Sequence, residues 1–126
     1  MFIDEKGNLQ FESLDELKSN KELAIQEFNN WAIPTVEEIE MQVVESIDVT
    51  LTTLQAFGLQ ESLGSTPEEI LDNITQGMKM GVNTGANMVL SIFENDAEAE
   101  ILRSRYNDFI NRFYMACDNV TAKLMN

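Results

Sequence analysis

The first eleven positions place short apolar stretches on either side of a polar turn. Phe2 and Ile3 come before the sequence Lys6-Gly7-Asn8, and Leu9 follows it. Apolar residues flanking a turn that contains glycine predict a small β-hairpin over residues 1–11. Because two strands alone are only marginally stable, this hairpin needs helices to pack on. The alternative is that residues 1–11 form a frayed arm.

Two short helices are predicted next, from residues that favour helix ends. Ser13 is of a type that caps helix N-termini, and two acids and a leucine follow it. A second helix is predicted from Lys21 to Trp31, because apolar positions recur there at helical spacing and Asn20 precedes them as an N-cap residue. Pro34 then ends this helix.

A longer amphipathic pattern starts at Thr35. Thr35 and Glu38 have the spacing of a capping box, in which each side chain accepts the amide proton of the other residue. Gly58 supplies a left-handed residue at the C-terminal end. At 100° per residue, the apolar positions between these signals fall on one side of a helix: Val36, Ile39, Val43, Ile47, Leu51, Leu54 and Phe57.

The sequence Ser65-Thr66-Pro67 predicts the start of a second long helix. A hydroxyl side chain stands at the N-cap and proline occupies the first helical position. The pattern continues toward Phe93 and predicts one buried side: Ile70, Leu71, Ile74, Met78, Val82, Met88, Val89 and Ile92.

Gly77, Gly81 and Gly85 recur every four residues within this helix, and each destabilises a helix by about 1 kcal/mol relative to alanine. One interpretation is a margin where another backbone packs closely, as Gly-x-x-x-Gly does. Another is a kink or break between Gly81 and Ala86. A third is a ligand groove, in which polar neighbours would donate and accept hydrogen bonds: Asn83, Thr84 and Asn87.

The last apolar pattern predicts a third long helix, which opens at Asn95 or Asp96 and reaches Lys123. Its apolar side is a seam of residues spaced by three and four positions: Leu102, Tyr106, Phe109, Phe113, Ala116, Val120 and Leu124, widened by Ile110 and Cys117. Arg105, Arg112 and Lys123 project to a common side. We expect them to pair with acids of a neighbouring helix, either in the same chain or in a second subunit: Glu37, Glu38 or Glu45.

These elements predict an all-α fold, a bundle of three long helices with one or two short N-terminal helices and a small β-hairpin. The length of 126 residues suits one hydrophobic core. We expect residues 1–126 to form a single domain, with the hairpin or arm in residues 1–11 and the helical bundle in residues 12–126.

The composition argues against most kinds of catalysis. The chain has no histidine and one cysteine, so histidine-based catalytic triads and dedicated transition-metal sites lack their bases and ligands. Cys117 lies on the apolar seam without a histidine to activate it, which favours a role in the core. We therefore predict a non-enzymatic protein with no catalytic residue, no cofactor and no metal site.

The charge balance argues against nucleic acid and membranes as direct partners. The chain has 22 Asp and Glu residues and 8 Lys and Arg residues, for a net charge of −14. Phosphates and anionic lipids would repel it, and no apolar run approaches the ~18 residues of a membrane span. Without a signal-peptide pattern or a pair of cysteines, we expect a cytoplasmic protein.

Eleven of the acids lie between Glu22 and Met78, a stretch without lysine or arginine. Such a surface destabilises the compact state through self-repulsion, yet it steers a basic protein toward it. The candidate partner-binding residues are the acids of the first long helix and the methionine among them: Glu37, Glu38, Glu45, Asp48 and Met41. The alternative is a solvated face that serves solubility.

Three functions are consistent with these patterns. The first is an acidic inhibitor that occupies the basic, nucleic-acid-binding surface of a partner such as a nuclease, with the charge and size of viral nucleic-acid mimics, anti-CRISPR proteins, immunity proteins and antitoxins, although no motif assigns the chain to these groups. The second is a structural or assembly protein that forms a homo-oligomer through its helices. The third is a small-molecule sequestering protein with a pocket at Gly77–Gly85.

Overall fold

The computed structural model describes residues 1–94 and 97–125 of the chain. Three long helices and two short ones follow a two-stranded hairpin, which confirms the predicted all-α bundle. The strands are β1 (Phe2–Ile3) and β2 (Leu9–Gln10), and the helices are α1 (Leu14–Ser19), α2 (Lys21–Asn29), α3 (Val36–Ala56), α4 (Pro67–Ile92) and α5 (Glu100–Met125). Two 3₁₀ turns, Gln60–Leu63 and Ala97–Ala99, precede α4 and α5.

The N-terminal hairpin forms as predicted, which excludes the frayed arm. The strands are antiparallel, with Ile3 opposite Leu9. The Asp4 carboxylate accepts hydrogen bonds from the amides of Lys6 and Asn8, each at 2.9 Å, and from Gln10 Nε2 at 2.8 Å. The amide of Asn8 makes the largest contribution to a pKa of Asp4 below its usual range, and the Gln10 side chain makes the next.

The predicted N-caps of α1, α3 and α4 are confirmed. Ser13 Oγ accepts from the amide of Glu16, and Thr66 Oγ1 accepts from the amide of Glu69, both at 3.1 Å. At the start of α3 the capping box is complete, because Thr35 Oγ1 accepts from the Glu38 amide at 3.2 Å and Glu38 Oε2 accepts from the Thr35 amide at 3.0 Å. Each side chain satisfies an amide that the helix leaves without a partner.

The prediction for α2 is wrong in two details. Asn20 stands at the N-cap position, but its side chain makes no cap bond, because Nδ2 donates to the carbonyl of Glu16 at 2.8 Å and so joins α1 to α2. The helix ends at Asn29 rather than at Trp31. The chain then leaves helical geometry before Pro34, and Trp31 lies in the linker that leads to α3.

A left-handed glycine, Gly58, follows the C-terminal end of α3, as predicted. Gly58 has φ +65°, and the amides of Gly58 and Leu59 donate to the carbonyls of Gln55 and Leu54 at 3.1 and 2.8 Å. This pair of bonds is the Schellman motif. Phe57 was expected on the apolar side but is 74% exposed, because it is the cap residue at which the chain turns away from the bundle.

A large core cluster holds α3, α4 and α5 together. The helices α3 and α4 each pack mainly on α5 and contact each other less. Nine of the residues predicted for the three apolar sides are buried here: Ile39, Val43, Ile47, Leu71, Ile74, Phe113, Ala116, Cys117 and Val120. The seam of α5 is therefore the surface on which the other two long helices assemble.

A smaller cluster holds α2 against the junction of α4 and α5. Its buried residues are Ala24, Ile25, Phe93, Ala99 and Leu102. Trp31 links the two clusters, because its ring lies 6.3 Å from that of Tyr106 and 5.4 Å from that of Phe109. The predicted start of the last helix at Asn95 or Asp96 lies outside the described residues.

Two further residues expected on apolar sides are exposed, Met88 and Leu124. At 100° per residue, Met88 falls on the same margin of α4 as Gly77 and Gly81, which are also exposed. Leu124 lies in the last turn of α5, beyond Val120, the last buried residue of the seam. At Leu124 the helical periodicity therefore extends past the surface on which α5 packs.

Candidate protein-binding surfaces

The five predicted partner-binding residues are all exposed on the outward side of α3: Glu37, Glu38, Met41, Glu45 and Asp48. At 100° per residue they span an arc of about 100°, so one rigid helix presents them together. We refer to this group as the acidic face. Met41 is 69% exposed, and α3 is anchored behind it by the buried Ile39 and Val43.

The acidic face also contains apolar residues that periodicity did not single out. Val44 and Val49 are exposed on α3 as well as Met41. In projection, Val44 lies next to Glu37 and Asp48, so apolar side chains are interspersed with carboxylates. A contact surface with apolar residues and charged surroundings is typical of protein interfaces. The sequence feature that could have indicated this apolar surface is the presence of β-branched residues at outward positions of the predicted helix.

The acidic stretch from residue 22 to residue 78 has almost no internal counter-charge. Ten of its eleven acids are exposed. Among the described residues, Glu40 alone in this set forms an ion pair, with Lys123 Nζ at 3.2 Å. None of the α5 cations pairs with Glu37, Glu38 or Glu45 within the described part of this chain, so the expected pairing inside one chain is wrong, whereas pairing with a second subunit stays a prediction.

Two of those α5 cations bind backbone instead. Arg112 Nη1 donates to the carbonyls of Pro34 and Ile33 at 3.0 and 3.4 Å, and Arg105 Nη2 donates to the carbonyl of Trp31. The non-helical linker between α2 and α3 has carbonyls without helical partners, which a guanidinium fork can satisfy. Arg112 also pairs with Asp108 at 3.3 Å, within α5.

The glycine segment is part of one continuous helix, which excludes a break between Gly81 and Ala86, one of the three interpretations of these glycines. Gly77, Gly81 and Gly85 are exposed. A Cβ atom built on any of them meets no other described atom within 4 Å. We call them the glycine face; nothing in the described part of this chain packs against it.

The surroundings of the glycine face are almost uncharged. Between Asn73 and Phe93 the sequence contains one charged residue, Lys79. Its Nζ pairs with Asp118 Oδ1 at 2.8 Å and lies 5.3 Å from the centre of the Tyr114 ring. The hydrogen bond to Asp118 is the largest cause of the raised pKa of Lys79.

Cys117 lies where the sequence predicted, in the core cluster of the three long helices. Burial raises the pKa of its thiol, which disfavours the reactive thiolate. In residues 1–94 and 97–125, no group of three or more Cys, Asp or Glu side chains is placed to hold a metal ion. No helix there has the length and apolar character needed to cross a bilayer.

An open cleft of about 660 Å³ lies between the hairpin, the end of α2, the linker and α5. We call it the aromatic cleft, since three aromatic rings line it along with amide side chains and one acid: Asn8, Leu9, Gln10, Glu27, Phe28, Asn30, Trp31, Ala32 and Tyr106. Burial raises the pKa of Tyr106. No sequence pattern predicts this cleft, because its walls come from segments about 100 positions apart.

The chain matches no protein-family model, and neither a curated protein nor a solved structure matches it significantly. Its function is therefore inferred from its own surfaces: the acidic face, the glycine face and the aromatic cleft.

Proposed function

We propose that this protein is a non-enzymatic inhibitor whose acidic face occupies a basic, nucleic-acid-binding surface of a partner protein. One observation carries the proposal: the exposed carboxylates of α3 have no cationic partner among the described residues. The carboxylate of α3 that does have one, Glu40, is half-buried. The basic residues that could have neutralised them hold the linker instead. The acidic face thus presents uncompensated charge on a helix that packing fixes in place.

The chemistry of this face suits a surface that binds phosphates. Arginine forms bidentate, charge-assisted hydrogen bonds with carboxylates as it does with phosphates. Glu37, Glu45 and Asp48 can occupy such sites in place of a nucleic-acid backbone. Met41 and Val44 supply apolar area that a protein partner buries and that a solvated acidic face would not need.

The partner is by this argument a nuclease or another nucleic-acid-handling protein. The physical logic is that of nucleic-acid mimics, anti-CRISPR proteins, immunity proteins and antitoxins, several of which are viral. A reducing compartment such as the cytoplasm suits a protein with a single buried thiol. Electrostatic attraction of this kind raises the association rate and makes it salt-dependent.

The test reverses charge on α3 without breaking its cap. Glu37→Lys, Glu45→Lys and Asp48→Lys are combined with Glu38→Gln, because glutamine can still accept the Thr35 amide proton. Partners are captured from lysate at low and moderate salt and purified, and association is then measured by surface plasmon resonance. We expect the association rate to fall by about tenfold or more.

A matched control changes the net charge equally but away from α3. It combines Glu22→Lys, Glu61→Lys and Asp72→Lys with Glu5→Gln, all at exposed positions. This control should retain most of the association rate of the original protein. An equal loss in both variants, or an unchanged rate in the α3 variant, would contradict the proposal.

Self-association is the second candidate function, and the glycine face favours it. Three exposed glycines with open space beside them weaken α4 without benefit to this chain. The surface around them is nearly free of the charge that would keep two copies apart. The glycine face does not favour the small-molecule alternative, because this face is open surface, whereas small molecules bind in concave sites.

The test of self-association is Gly81→Leu, measured by sedimentation velocity. In a single copy the Cβ of the new side chain meets nothing within 4 Å outside its own helix backbone, whereas the leucine would obstruct close helix contact between two copies. Gln76→Leu adds the same side chain to α4 outside the glycine face and is the control. A homo-oligomer that dissociates only in Gly81→Leu supports this function, and a protein that is monomeric without substitution excludes it.

A further inference from the structure

The aromatic cleft combines ring surface with negative charge. Phe28, Trp31 and Tyr106 supply its rings. Among the described residues that line it, Glu27 alone is charged, and its carboxylate is exposed. Cations bind over the faces of aromatic rings, most strongly over tryptophan, and a nearby carboxylate adds an ion pair. The lining therefore selects for a positively charged group with a flat or apolar body.

Trp31 is fixed at this cleft from behind. Its ring packs against Tyr106 and Phe109, and its backbone carbonyl accepts a hydrogen bond from Arg105. Even so, 38% of the residue remains exposed. Arg105 is the nearby cation, but it is not among the residues that line the cleft, and its Nη2 is bound to the Trp31 carbonyl.

Amide side chains supply the remaining polar groups. Asn8, Gln10 and Asn30 line the cleft beside the rings. The Gln10 Nε2 group gives one of its two N–H donors to Asp4, and the side-chain carbonyl oxygen of Gln10 is an acceptor that a cationic donor can use. A guanidinium has five N–H donors in a planar fork and stacks on aromatic faces. An ammonium can also lie over a ring face, but it is a compact point charge without the planar fork that stacks on a ring and pairs in bidentate fashion with a carboxylate.

We propose that the aromatic cleft binds the guanidinium of an arginine side chain, stacked at Trp31 and paired with Glu27. The proposal deepens the proposed function, because a basic partner presents such side chains. It does not depend on the acidic face, however, because the cleft is formed by different elements. An arginine seated here would be a second contact point for the same partner.

The experiment uses Trp31 as its own reporter, since it is the chain's single tryptophan. The full chain is titrated with N-acetyl-L-arginine methylamide while the indole fluorescence is followed. N-acetyl-L-citrulline methylamide, which is neutral and nearly the same shape, is the reference probe. We expect a saturable change with the arginine probe in the millimolar range and none with the citrulline probe. Equal responses to both probes, or a response that never saturates, would overturn the proposal.

Two variants define the contribution of charge. Glu27→Gln should weaken binding of the arginine probe about threefold, the effect of losing one exposed ion pair. Glu22→Gln removes an equivalent charge from α2 outside the cleft and should leave the affinity unchanged. If Glu27→Gln binds the arginine probe as tightly as the original protein, the assignment of Glu27 and the proposal are wrong.

The same titration separates this proposal from the proposed function. The α3 charge-reversal variant should bind the arginine probe with unchanged affinity, since none of its substitutions lies in the cleft. Trp31→Leu, followed by the NMR amide shifts of Asn30 and Ala32, should lose binding of the probe. Persistent binding in Trp31→Leu would overturn the cleft assignment while leaving the acidic face untouched.

Discussion

Arg112 Nη1 donates a hydrogen bond of 3.0 Å to the carbonyl oxygen of Pro34, which lies 78 positions earlier in the chain. Through this bond the middle of α5 fixes the residue that immediately precedes the capping box of α3. The direction in which α3 leaves the linker is therefore set by a tertiary contact, while its first turn is set by local residues.

Arg112→Met should destabilise the protein by about 1–2 kcal/mol, because partly buried carbonyls of the linker lose a charged donor. The change is measured by urea denaturation. Asp108→Asn is the control, since it removes only the ion pair of Arg112 within α5, and exposed pairs contribute about 0–1 kcal/mol. Equal losses in the two variants would show that the carbonyl bonds contribute little.

Thr35→Ala and Thr66→Ala should each destabilise the fold by about 1 kcal/mol, because each removes an N-cap acceptor. Thr53→Ala is the comparison. Its hydroxyl donates to the carbonyl of Val49 inside α3, so alanine there gains helix propensity and should be neutral or slightly stabilising. Thermal denaturation of all three variants measures the difference.

Gly81→Ala should stabilise a single copy by about 1 kcal/mol, because the site is helical and the added methyl group meets open space. Gly58 also has open space beside it but has φ +65°. Gly58→Ala should therefore destabilise by about 1 kcal/mol, through backbone strain rather than collision. Chemical denaturation at low protein concentration measures the free energy of unfolding of each variant. A change in the same direction for Gly81→Ala and Gly58→Ala would contradict this explanation.

Stability should fall as the pH rises above about 9. The pKa values of Cys117, Tyr106 and Lys79 are all raised, from usual values of 9.0, 10.0 and 10.5. The folded state thus keeps protons that the unfolded chain releases. The stability that this adds is fully present below the pKa of each group in the unfolded chain, and it is lost as the pH rises through the pKa of that group in the folded protein.

The measurement is the melting temperature between pH 8 and pH 11, followed by circular dichroism. Burial is the main cause of the raised pKa of Cys117 and of Tyr106, and the hydrogen bond to Asp118 is the main cause of the raised pKa of Lys79. Cys117→Ala should delay the onset of the decrease toward pH 10, the usual pKa at which the Tyr106 side chain of the unfolded chain loses its proton. A melting temperature that holds steady or rises across this range would contradict the linkage.

The features that were predicted correctly depend on residues close together in the sequence. The capping box joins Thr35 to Glu38, and the end of α3 depends on Gly58 alone, so local chemistry decides both. The acidic face was also predictable, since a helix with Ile39 and Val43 buried must turn its carboxylates outward.

The features that were missed depend on distant segments. The acceptors of Arg105 and Arg112 lie 74 and 78 positions away, and no periodicity identifies a backbone carbonyl as the partner of a side chain. The aromatic cleft has the same origin, because Tyr106 meets Trp31 only after α5 has packed. Periodicity also says nothing about where a neighbouring helix ends, which is why Phe57 and Leu124 were placed in the core.

The central position of α5 has a consequence for the order in which this protein becomes structured. Because α3 and α4 are held together chiefly through α5, a nascent chain that has emerged only as far as α4 has amphipathic helices but no surface that buries both. On a ribosome, this segment would expose Ile39, Val43 and Ile74 until α5 emerged. Native packing is thus a late and nearly simultaneous event in synthesis, and the incomplete chain is the form most in need of a chaperone.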